Sequence, residues 1–191
     1  MDVHAAIEAR RATRSLAPVP VTEELVRDLA GHARLSPSCD NNQPWRFVFV
    51  FEPEKLQALK VVFSEGNRWC HAASLAVAVF SRKDDDCVVR DREYHLFDTG
   101  MAAAFLILRA TELGLVAHPI AGFSPKKTRE ILGIPEEFQV ITLILVGKRA
   151  AAPSPVLSEK QLKDETRRPE RLPFDKFAFL NSFHTRFHAN A

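Results

Sequence analysis

The sequence contains little glycine, with 7 glycines among its 191 residues. Neither G-x-G-x-x-G nor G-x-x-x-x-G-K-[ST] occurs in it, so the common glycine-built loops that bind phosphate through backbone N–H groups are absent. A phosphate bound by this chain must therefore be held by side chains.

Cysteine is scarce as well. The 3 cysteines, Cys39, Cys70 and Cys87, contain no C-x-x-C pair, and an odd number cannot close a disulfide framework. A chain of this length buries roughly 70% of the surface that its unfolded form exposes, so it needs no disulfide staple. We therefore expect no disulfide framework and no zinc site made by a cysteine cluster. The cysteine count is typical of a reducing compartment.

The sequence has neither a long apolar run nor an excess of one charge. The longest apolar run, residues 100–108, is far shorter than the ~20 residues that cross a bilayer, and residues 1–14 lack the apolar core of a signal peptide. Lys and Arg number 26 against 24 Asp and Glu, whereas a dedicated nucleic-acid binder carries a large basic excess. We predict a cytoplasmic, soluble protein with no membrane or nucleic-acid partner.

Apolar periodicity predicts helices that alternate with strands. Helices are expected at residues 3–11, 23–35, 54–63, 93–113 and 125–132, and strands at residues 46–51, 75–80, 116–120 and 139–146. This pattern is typical of one α/β or α+β domain over residues 1–191. Residues 150–191 are expected to form a linker and a phenylalanine-rich C-terminal arm. The charged residues 81–92, with Asp84, Asp85 and Asp86, are expected to be a solvated connection.

The helix expected at residues 93–113 is apolar on every face between residues 100 and 108, so it should be buried all round. Its small residues, Gly100, Ala102, Ala103 and Ala104, would let a second helix approach closely. It is therefore either the central helix of the core or a subunit contact.

The first arginine cluster is a candidate for binding phosphate, because guanidinium groups match phosphate oxygens two at a time. Arg10 and Arg14 lie one turn apart if the first helix continues through them, with Arg11 beside them. A solvated helix end would show the same arginines. Arg167 and Arg168 form a second cluster more than 150 residues later, which taken alone indicates a solvated surface.

Two loop segments could contact a flat heterocycle. Residues 36–45 are dense in side-chain amides and hydroxyls, although such residues also form turns that bond their own backbone. Residues 118–123 include Gly122, which permits close approach of the backbone to a ligand, although a plain strand-to-helix turn would look the same.

The histidines do not indicate a metal site. His71 and His118 are more often structural in such positions. His184 and His188 are spaced i and i+4, like half of a metal site, but no third ligand is evident.

Together these segments resemble the nitroreductase family of flavoproteins. The matching stretches are Arg10-Arg11-x-x-Arg14, Pro37-Ser38-Cys39-Asp40-Asn41-Asn42-Gln43-Pro44-Trp45, Asp98-Thr99-Gly100 and Pro119-Ile120-Ala121-Gly122-Phe123. They occur in the family's order between about residue 3 and residue 177, and the N-x-Q-P-W match is the most specific. The chain departs from the family at Ala12 and Cys39, where the family has serine, and it is short for the family.

The resemblance implies an α+β fold in which helices flank a central mixed, mostly antiparallel sheet with a long buried helix. It also implies a homodimer that holds two FMN molecules at the subunit interface and exchanges the C-terminal arm. Arg10, Arg14 and Arg167 would hold the FMN phosphate, with Arg11 beside them. The residues implied along the flavin are Pro37, Ser38, Cys39 and Asn41 from the partner subunit, and Pro119, Ile120, Ala121 and Gly122, with a backbone N–H near Ala121 or Gly122 at the flavin N5.

The implied activity is that of an FMN-dependent oxidoreductase. NAD(P)H would reduce the flavin, and a small acceptor such as a nitroaromatic or a quinone would then be reduced in a ping-pong order. We name no catalytic side chain, because the flavin carries the chemistry. Two alternatives stay open: other FMN chemistry on the same scaffold, such as dehalogenation, enoyl-type reduction or flavin destruction, and a flavin-binding protein without turnover.

Overall fold

The computed structural model describes residues 1–183, and helices and strands alternate through them. The α-helices are α1 Val3–Ala9, α2 Glu23–Ala33, α3 Pro53–Leu59, α4 His95–Glu112, α5 Pro125–Leu132 and α6 Glu159–Thr166. The strands are β1 Leu16–Ala17, β2 Arg46–Val50, β3 Leu75–Ser81, β4 Val88–Val89, β5 Arg92–Glu93, β6 Val116–Ile120 and β7 Gln139–Arg149.

The central sheet is antiparallel in every pairing that the structure describes. Its strand order is β1-β7-β3-β2, and β6 also pairs with β7. The register of β3 on β7 runs from Leu75↔Val146 to Ser81↔Gln139, with an irregularity between Val79 and Phe80. Strands β4 and β5 form a separate hairpin. Helices and an antiparallel sheet in one domain confirm the expected α+β class.

Strand β3 divides the interior into two hydrophobic cores, because successive side chains of a strand point to opposite faces. One core contains Ala76, Ala78 and Phe80, and the other contains Leu75, Val77 and Val79. Helices α2 and α4 cover the second face, where Leu29 and Leu106 are fully buried. The first face is covered by α3, α5 and a short 3-10 segment. The sheet therefore lies between two layers.

Helix α4 is buried on one side only. Ala102, Leu106 and Ala110 are buried in the core, but Phe97 is 64% and Phe105 is 40% exposed. The prediction of a helix buried all round is therefore wrong for the single chain. The physical reason is that the sheet covers one face of the helix and α1 and α2 pack beside it, which leaves Phe97 and Phe105 exposed.

Two further expectations are corrected by the structure. Helix α1 ends at Ala9, so Arg10 to Arg14 are not helical. Residues 81–92 are not simply solvated, because Asp85 has a side chain only 12% exposed that pairs with Arg46 and Arg82, and one carboxylate oxygen of Asp86 is buried.

Part of the segment expected to form a linker and an arm, residues 150–191, packs against the rest of the same chain. Helix α6 begins with a capping box between Ser158 and Gln161, and the Gln161 amide donates to the carbonyl of Gly66. Within residues 1–183, the helices are too short or too polar for any of them to span a bilayer.

Candidate functional site

Five arginines surround one small cavity at the junction of the two chain ends. The cavity has a volume of about 130 Å³ and is lined by Arg10, Arg11, Ala12, Arg14, Asp164, Arg168, Pro169 and Arg171. Its volume is that of roughly four water molecules at ~30 Å³ each. The structure thus brings together the N-terminal arginines predicted to bind phosphate and two arginines that follow α6.

The N-terminal arginines converge without a helix, because residues 13–15 are held by partners elsewhere in the chain. The Arg14 and Ser15 N–H groups both donate to Oε1 of Glu165 at 2.7 Å, and the Ser15 hydroxyl donates to Oε2 at 2.5 Å. The Thr13 carbonyl lies 2.9 Å from Nδ1 of His118. These contacts take backbone groups that a helix would use for its own hydrogen bonds.

Glu165 is the positioning residue that reasoning from the sequence missed. It is 8% exposed, and it joins α6 to the segment of Arg14. Burial by itself raises the pKa of Glu165, but the hydrogen bonds from Ser15 and Arg14, with the charge of Arg149, outweigh burial and lower it. Glu165 is therefore ionised at neutral pH. No sequence signal separates it from the exposed acids around it.

Within the described residues none of the five guanidinium groups forms an ion pair, and Asp164 is the single acidic residue of the cavity lining. Among residues 1–183, the arginines paired with a carboxylate are others, namely Arg27, Arg46, Arg68, Arg82, Arg109 and Arg167. The cavity's arginines bond backbone carbonyls instead. Arg11 donates to the carbonyl of Glu165, and Arg168 donates to those of Glu8 and Arg10. The positive charge of the cavity is thus left for an anion to neutralise.

Arg10 is partly buried among other positively charged arginines. Burial, followed by the positive charges of Arg168, Arg171 and Arg11, lowers the pKa of Arg10 below its ordinary value. An anion in the cavity would reverse this effect, since opposite charge favours the ionised form.

Arg167 does not join the cluster. Its side chain is 78% exposed and lies 3.4 Å from Glu170. The chain is extended at Arg167, so neighbouring side chains point to opposite sides, and Arg168 enters the cavity lining in its place.

The segment from Pro119 to Gly122 begins within β6. His118 of β6 contacts the arginine segment through Thr13, and its ring packs against that of Trp69 at a tilt of 36°, with centroids 4.7 Å apart. Burial, with the charges of Arg14 and Arg10, lowers the pKa of His118 to about 4. His118 is therefore neutral and structural. At ~3.3 Å per residue, Gly122 lies at most about 13 Å farther along the chain.

Gly122 is fitted closely to its surroundings. Its carbonyl accepts hydrogen bonds from the N–H of Ser64 at 3.0 Å and from the amide of Asn67 at 2.9 Å. A Cβ atom at this position would lie 2.6 Å from Asn67 Nδ2 and from Ser64 Oγ. In this segment Ile120 is buried, while Pro119 and Ala121 are exposed. Glycine is thus required at residue 122 for close packing. The exposed Pro119 and Ala121 leave one face of the segment open to a ligand.

The loop at residues 36–45 is here called the polar loop, and it is attached to α4. The Cys39 N–H donates to Oδ2 of Asp98 in α4 at 2.7 Å, and the Gln43 N–H donates to the Ser38 hydroxyl at 3.0 Å. Asp40, Asn41 and Gln43 have positive φ angles of 48°, 57° and 52°. No residue of the polar loop lines the arginine cavity of the same chain as described. Pro37 and Asn41 are exposed, so the loop is open to a partner molecule.

The structure corrects the expectation that the cysteines form no disulfide. Cys39 of the polar loop is bonded to Cys87, with Cα atoms 6.0 Å apart and a sequence separation of 48 residues. Spacing along the chain could not show this pairing. Asp40 joins the two sulfurs in a group whose atoms lie within 4.8 Å of one another, but both sulfurs are already bonded. Cys70 is a buried free thiol.

The remaining histidines add no site. His71 is exposed, and its ring lies 5.9 Å from that of Phe63. His184 and His188 lie outside the described residues.

Known proteins similar to this chain were found among both sequences and solved structures. A model described as Nitroreductase family matches residues 7–68 and 62–148. An NADH dehydrogenase of Thermus thermophilus is 26% identical over 178 residues, covering 77% of this chain and 86% of that protein. A structure titled as an oxidoreductase containing FMN has a TM-score of 0.82 and 27% identity, covering 97% of this chain and 94% of that one.

A further solved structure matches in fold. An FMN-dependent nitroreductase of Clostridium difficile R20291 has a TM-score of 0.66 at 24% identity, with 87% of this chain and 98% of that chain covered. The family model covers most of the sequence and includes the N-terminal arginines, the polar loop and β6. This chain is therefore a member of the nitroreductase family.

Proposed function

We propose that this protein is an FMN-dependent oxidoreductase that uses NAD(P)H to reduce a small electron acceptor. The oxidoreductase class follows from the family and from the relatives named as an NADH dehydrogenase and an oxidoreductase containing FMN. The observation that carries the cofactor is the cavity in which five arginines face a single acidic residue, Asp164. A phosphomonoester is the dianion that such a set of guanidinium forks binds best.

The residues present fit FMN at both of its ends. Arg10, Arg11 and Arg14 would hold the phosphate together with Arg168 and Arg171, while Arg167 stays on the surface. Pro119, Ile120, Ala121 and Gly122 would lie along the isoalloxazine ring, and a backbone N–H of Ala121 or Gly122 would donate to N5. Such a donor stabilises negative charge on the ring.

The second half of the flavin site would come from another copy of the chain. We propose a homodimer in which Pro37, Ser38, Cys39 and Asn41 of each polar loop line the partner's flavin. The exposed apolar face of α4, with Phe97 and Phe105, supports this arrangement. Leu172 and Phe177 of the C-terminal arm, at 66% and 58% exposed, are apolar residues that the partner would cover if the arm is exchanged.

FMN, when bound, supplies the hydride chemistry of the reaction. The protein's part is to anchor the phosphate, to fix the ring against Gly122, and to leave one face open for substrates. NAD(P)H and the acceptor would use this open face in turn, which is a ping-pong order.

Titration of FMN tests the cofactor and its site. The flavin's fluorescence should be quenched on binding, and Arg10→Ala with Arg14→Ala should weaken binding by about 100-fold or more, since each charge-assisted contact is worth ~1.5–3 kcal/mol. Arg167→Ala is the matched control and should bind FMN like the wild type. An equal loss of FMN affinity in the double variant and in Arg167→Ala, or no FMN binding by the wild type, would contradict the proposal.

Turnover and assembly test the remaining parts. NADH and NADPH should be consumed with quinones and nitroaromatics, and initial rates over both substrates should give parallel double-reciprocal plots. Activity confined to halogenated phenols or enoyl substrates would favour the other FMN reactions, and no turnover would favour a flavin binder. Light scattering should give a dimer, and a monomer with bound FMN would contradict the shared site.

A further inference from the structure

The disulfide between Cys39 and Cys87 joins two segments that have no other covalent link nearby. Cys39 starts the turn of the polar loop, and Cys87 precedes the β4–β5 hairpin that leads into α4. Asn42 of the loop reaches the same segment, with its amide nitrogen 3.4 Å from Asp86 Oδ1 and 3.4 Å from Cys87 Sγ. The crosslink is therefore a fastening point of the polar loop.

The polar loop needs such a fastening, because its backbone is held in an unfavourable conformation. Asp40, Asn41 and Gln43 all lie in the left-handed region, where non-glycine residues are uncommon. Trp45 anchors the end of the loop in the core, whereas the described contacts of residues 39–43 include, beside the disulfide, hydrogen bonds such as those from Cys39 N–H to Asp98 and from Gln43 N–H to Ser38. Losing the crosslink would let the loop sample other conformations.

The crosslink is placed where a small thiol can reach it. Cys87 is half-buried, precedes the exposed Val88 and Val89, and is not among the residues proposed to line the flavin, so a small thiol can attack its sulfur. Cys70 is different, since it is 3% exposed and burial raises the pKa of its thiol. The chain thus contains one accessible cysteine pair and one inert cysteine.

We propose that Cys39 and Cys87 form a reversible redox clasp, a modification site for low-molecular-weight thiols and disulfides that closes and opens the polar loop. The clasp has a consequence for the cofactor that rests on the proposed function: the closed form holds FMN more tightly than the open form, because the loop lines the flavin.

Closing and opening are thiol–disulfide exchange reactions. In closing, one cysteine thiolate attacks a small disulfide RSSR, which forms a protein mixed disulfide and releases one RS⁻. The second cysteine thiolate then attacks the protein sulfur of the mixed disulfide, forms the Cys39–Cys87 bond and releases the second RS⁻. The two cysteines are oxidised by two electrons, RSSR is reduced to two thiols, and the two cysteine protons pass to solvent or to RS⁻. Opening is the reverse reaction with two thiols.

Asp40 slows the opening of the clasp by an anionic thiol. Its Oδ2 lies 3.6 Å from Cys87 Sγ, which carries no proton in the disulfide and so cannot donate to it. Because thiol–disulfide exchange begins with the attack of a thiolate on a disulfide sulfur, this negative charge repels the attacking anion. Asp40→Asn removes the charge and keeps a residue that tolerates the left-handed conformation.

The first test equilibrates the FMN-loaded full-length protein in buffers of reduced and oxidised glutathione and counts alkylated thiols by mass spectrometry. We expect two thiols, mapped to Cys39 and Cys87, to appear and disappear reversibly. Asp40→Asn should speed the approach to equilibrium with glutathione, and Cys70→Ser should leave both the rate and the midpoint unchanged. A thiol count that does not change between reducing and oxidising buffers would overturn the proposal.

The second test asks whether the clasp controls the loop. Hydrogen exchange of residues 36–45 should be faster in the reduced protein, and Cys87→Ser should behave like the reduced wild type in every buffer. FMN should dissociate about fivefold or more faster from the reduced form, the lower end of typical couplings between linked sites. Identical loop exchange in both redox states would overturn the clasp. Reversible thiols and a redox-dependent loop in a protein that binds no FMN would support the clasp and contradict the proposed function instead.

Discussion

Replacement of Glu165 by glutamine tests how the arginine cavity is assembled. In the wild type, the Glu165 carboxylate accepts three hydrogen bonds of 2.5–2.7 Å from Arg14 and Ser15 in a buried position. Glutamine keeps one carbonyl oxygen but removes the charge and places an NH₂ group where Oε2 accepted the Ser15 hydroxyl. Hydrogen bonds to a charged group are worth ~1.5–3 kcal/mol each, and the glutamine variant keeps part of this stabilisation.

We expect Glu165→Gln to lower the free energy of unfolding by about 2–3 kcal/mol at pH 7. With an unfolding entropy of ~2.1 cal/mol/K per residue, a chain of this length would lose about 5–8 °C of melting temperature. Urea unfolding followed by circular dichroism, at one protein concentration and without added FMN, measures the change. Glu170→Gln is the matched control, because Glu170 is 89% exposed in its pair with Arg167, and it should change stability by less than ~0.5 kcal/mol.

The pH dependence of the same variant gives a second check. The pKa of Glu165 is lowered in the folded protein, so its contribution is present above the ordinary pKa near 4.5 and is lost as the pH falls through the folded-state value. The difference in the free energy of unfolding between wild type and Glu165→Gln should therefore become smaller on acidification below about pH 4.5. Equal stability of the two glutamine variants at pH 7 would refute the assignment of Glu165 as the residue that positions the arginines.

Two further predictions concern β6 and its end. Burial lowers the pKa of His118 to about 4 in the folded protein, so between about pH 6.5 and 4 the histidine is protonated in the unfolded chain and neutral in the folded one. The free energy of unfolding should therefore fall as the pH drops through this range. Urea unfolding at several pH values should show this loss, on the order of 3 kcal/mol, reduced in His118→Asn; parallel profiles would contradict it. Gly122→Ala should cost about 1–3 kcal/mol and weaken FMN binding, since its Cβ would lie 2.6 Å from Asn67 and Ser64. Gly66→Ala, where the added Cβ meets nothing within 4 Å, is the control, and equal effects of the two would contradict the close fit.

Much of the architecture was predictable because it depends on local patterns. The continuous apolar run of β3 and the cap of α5, where Ser124 precedes Pro125 and accepts from the Lys127 N–H, follow from residue types and their spacing. The same holds for α2, which Thr22 caps by accepting from the Leu25 N–H. Periodicity also predicted an apolar α4, but it could not show that the chain covers only one side of it, because burial depends on which elements pack there.

The candidate site was predictable in its chemistry and less so in its membership. The clusters at residues 10–14 and 167–168 indicated a phosphate site, yet the structure places Arg168 and Arg171 in the cavity and leaves Arg167 with Glu170. The choice follows from the extended backbone after α6, which sends adjacent side chains to opposite sides. Sequence spacing alone does not report that backbone direction.

By itself, the sequence determined the order of helices and strands, the lack of a glycine-built phosphate loop and the supply of arginines that replaces it. These properties depend on residues close together in the chain. Only the tertiary structure decided that Glu165 holds the segment of Arg14 from 151 residues away, and that Cys39 meets Cys87 across 48 residues. Such contacts depend on how α6 and the β4–β5 hairpin pack against distant segments, and local sequence does not encode that packing.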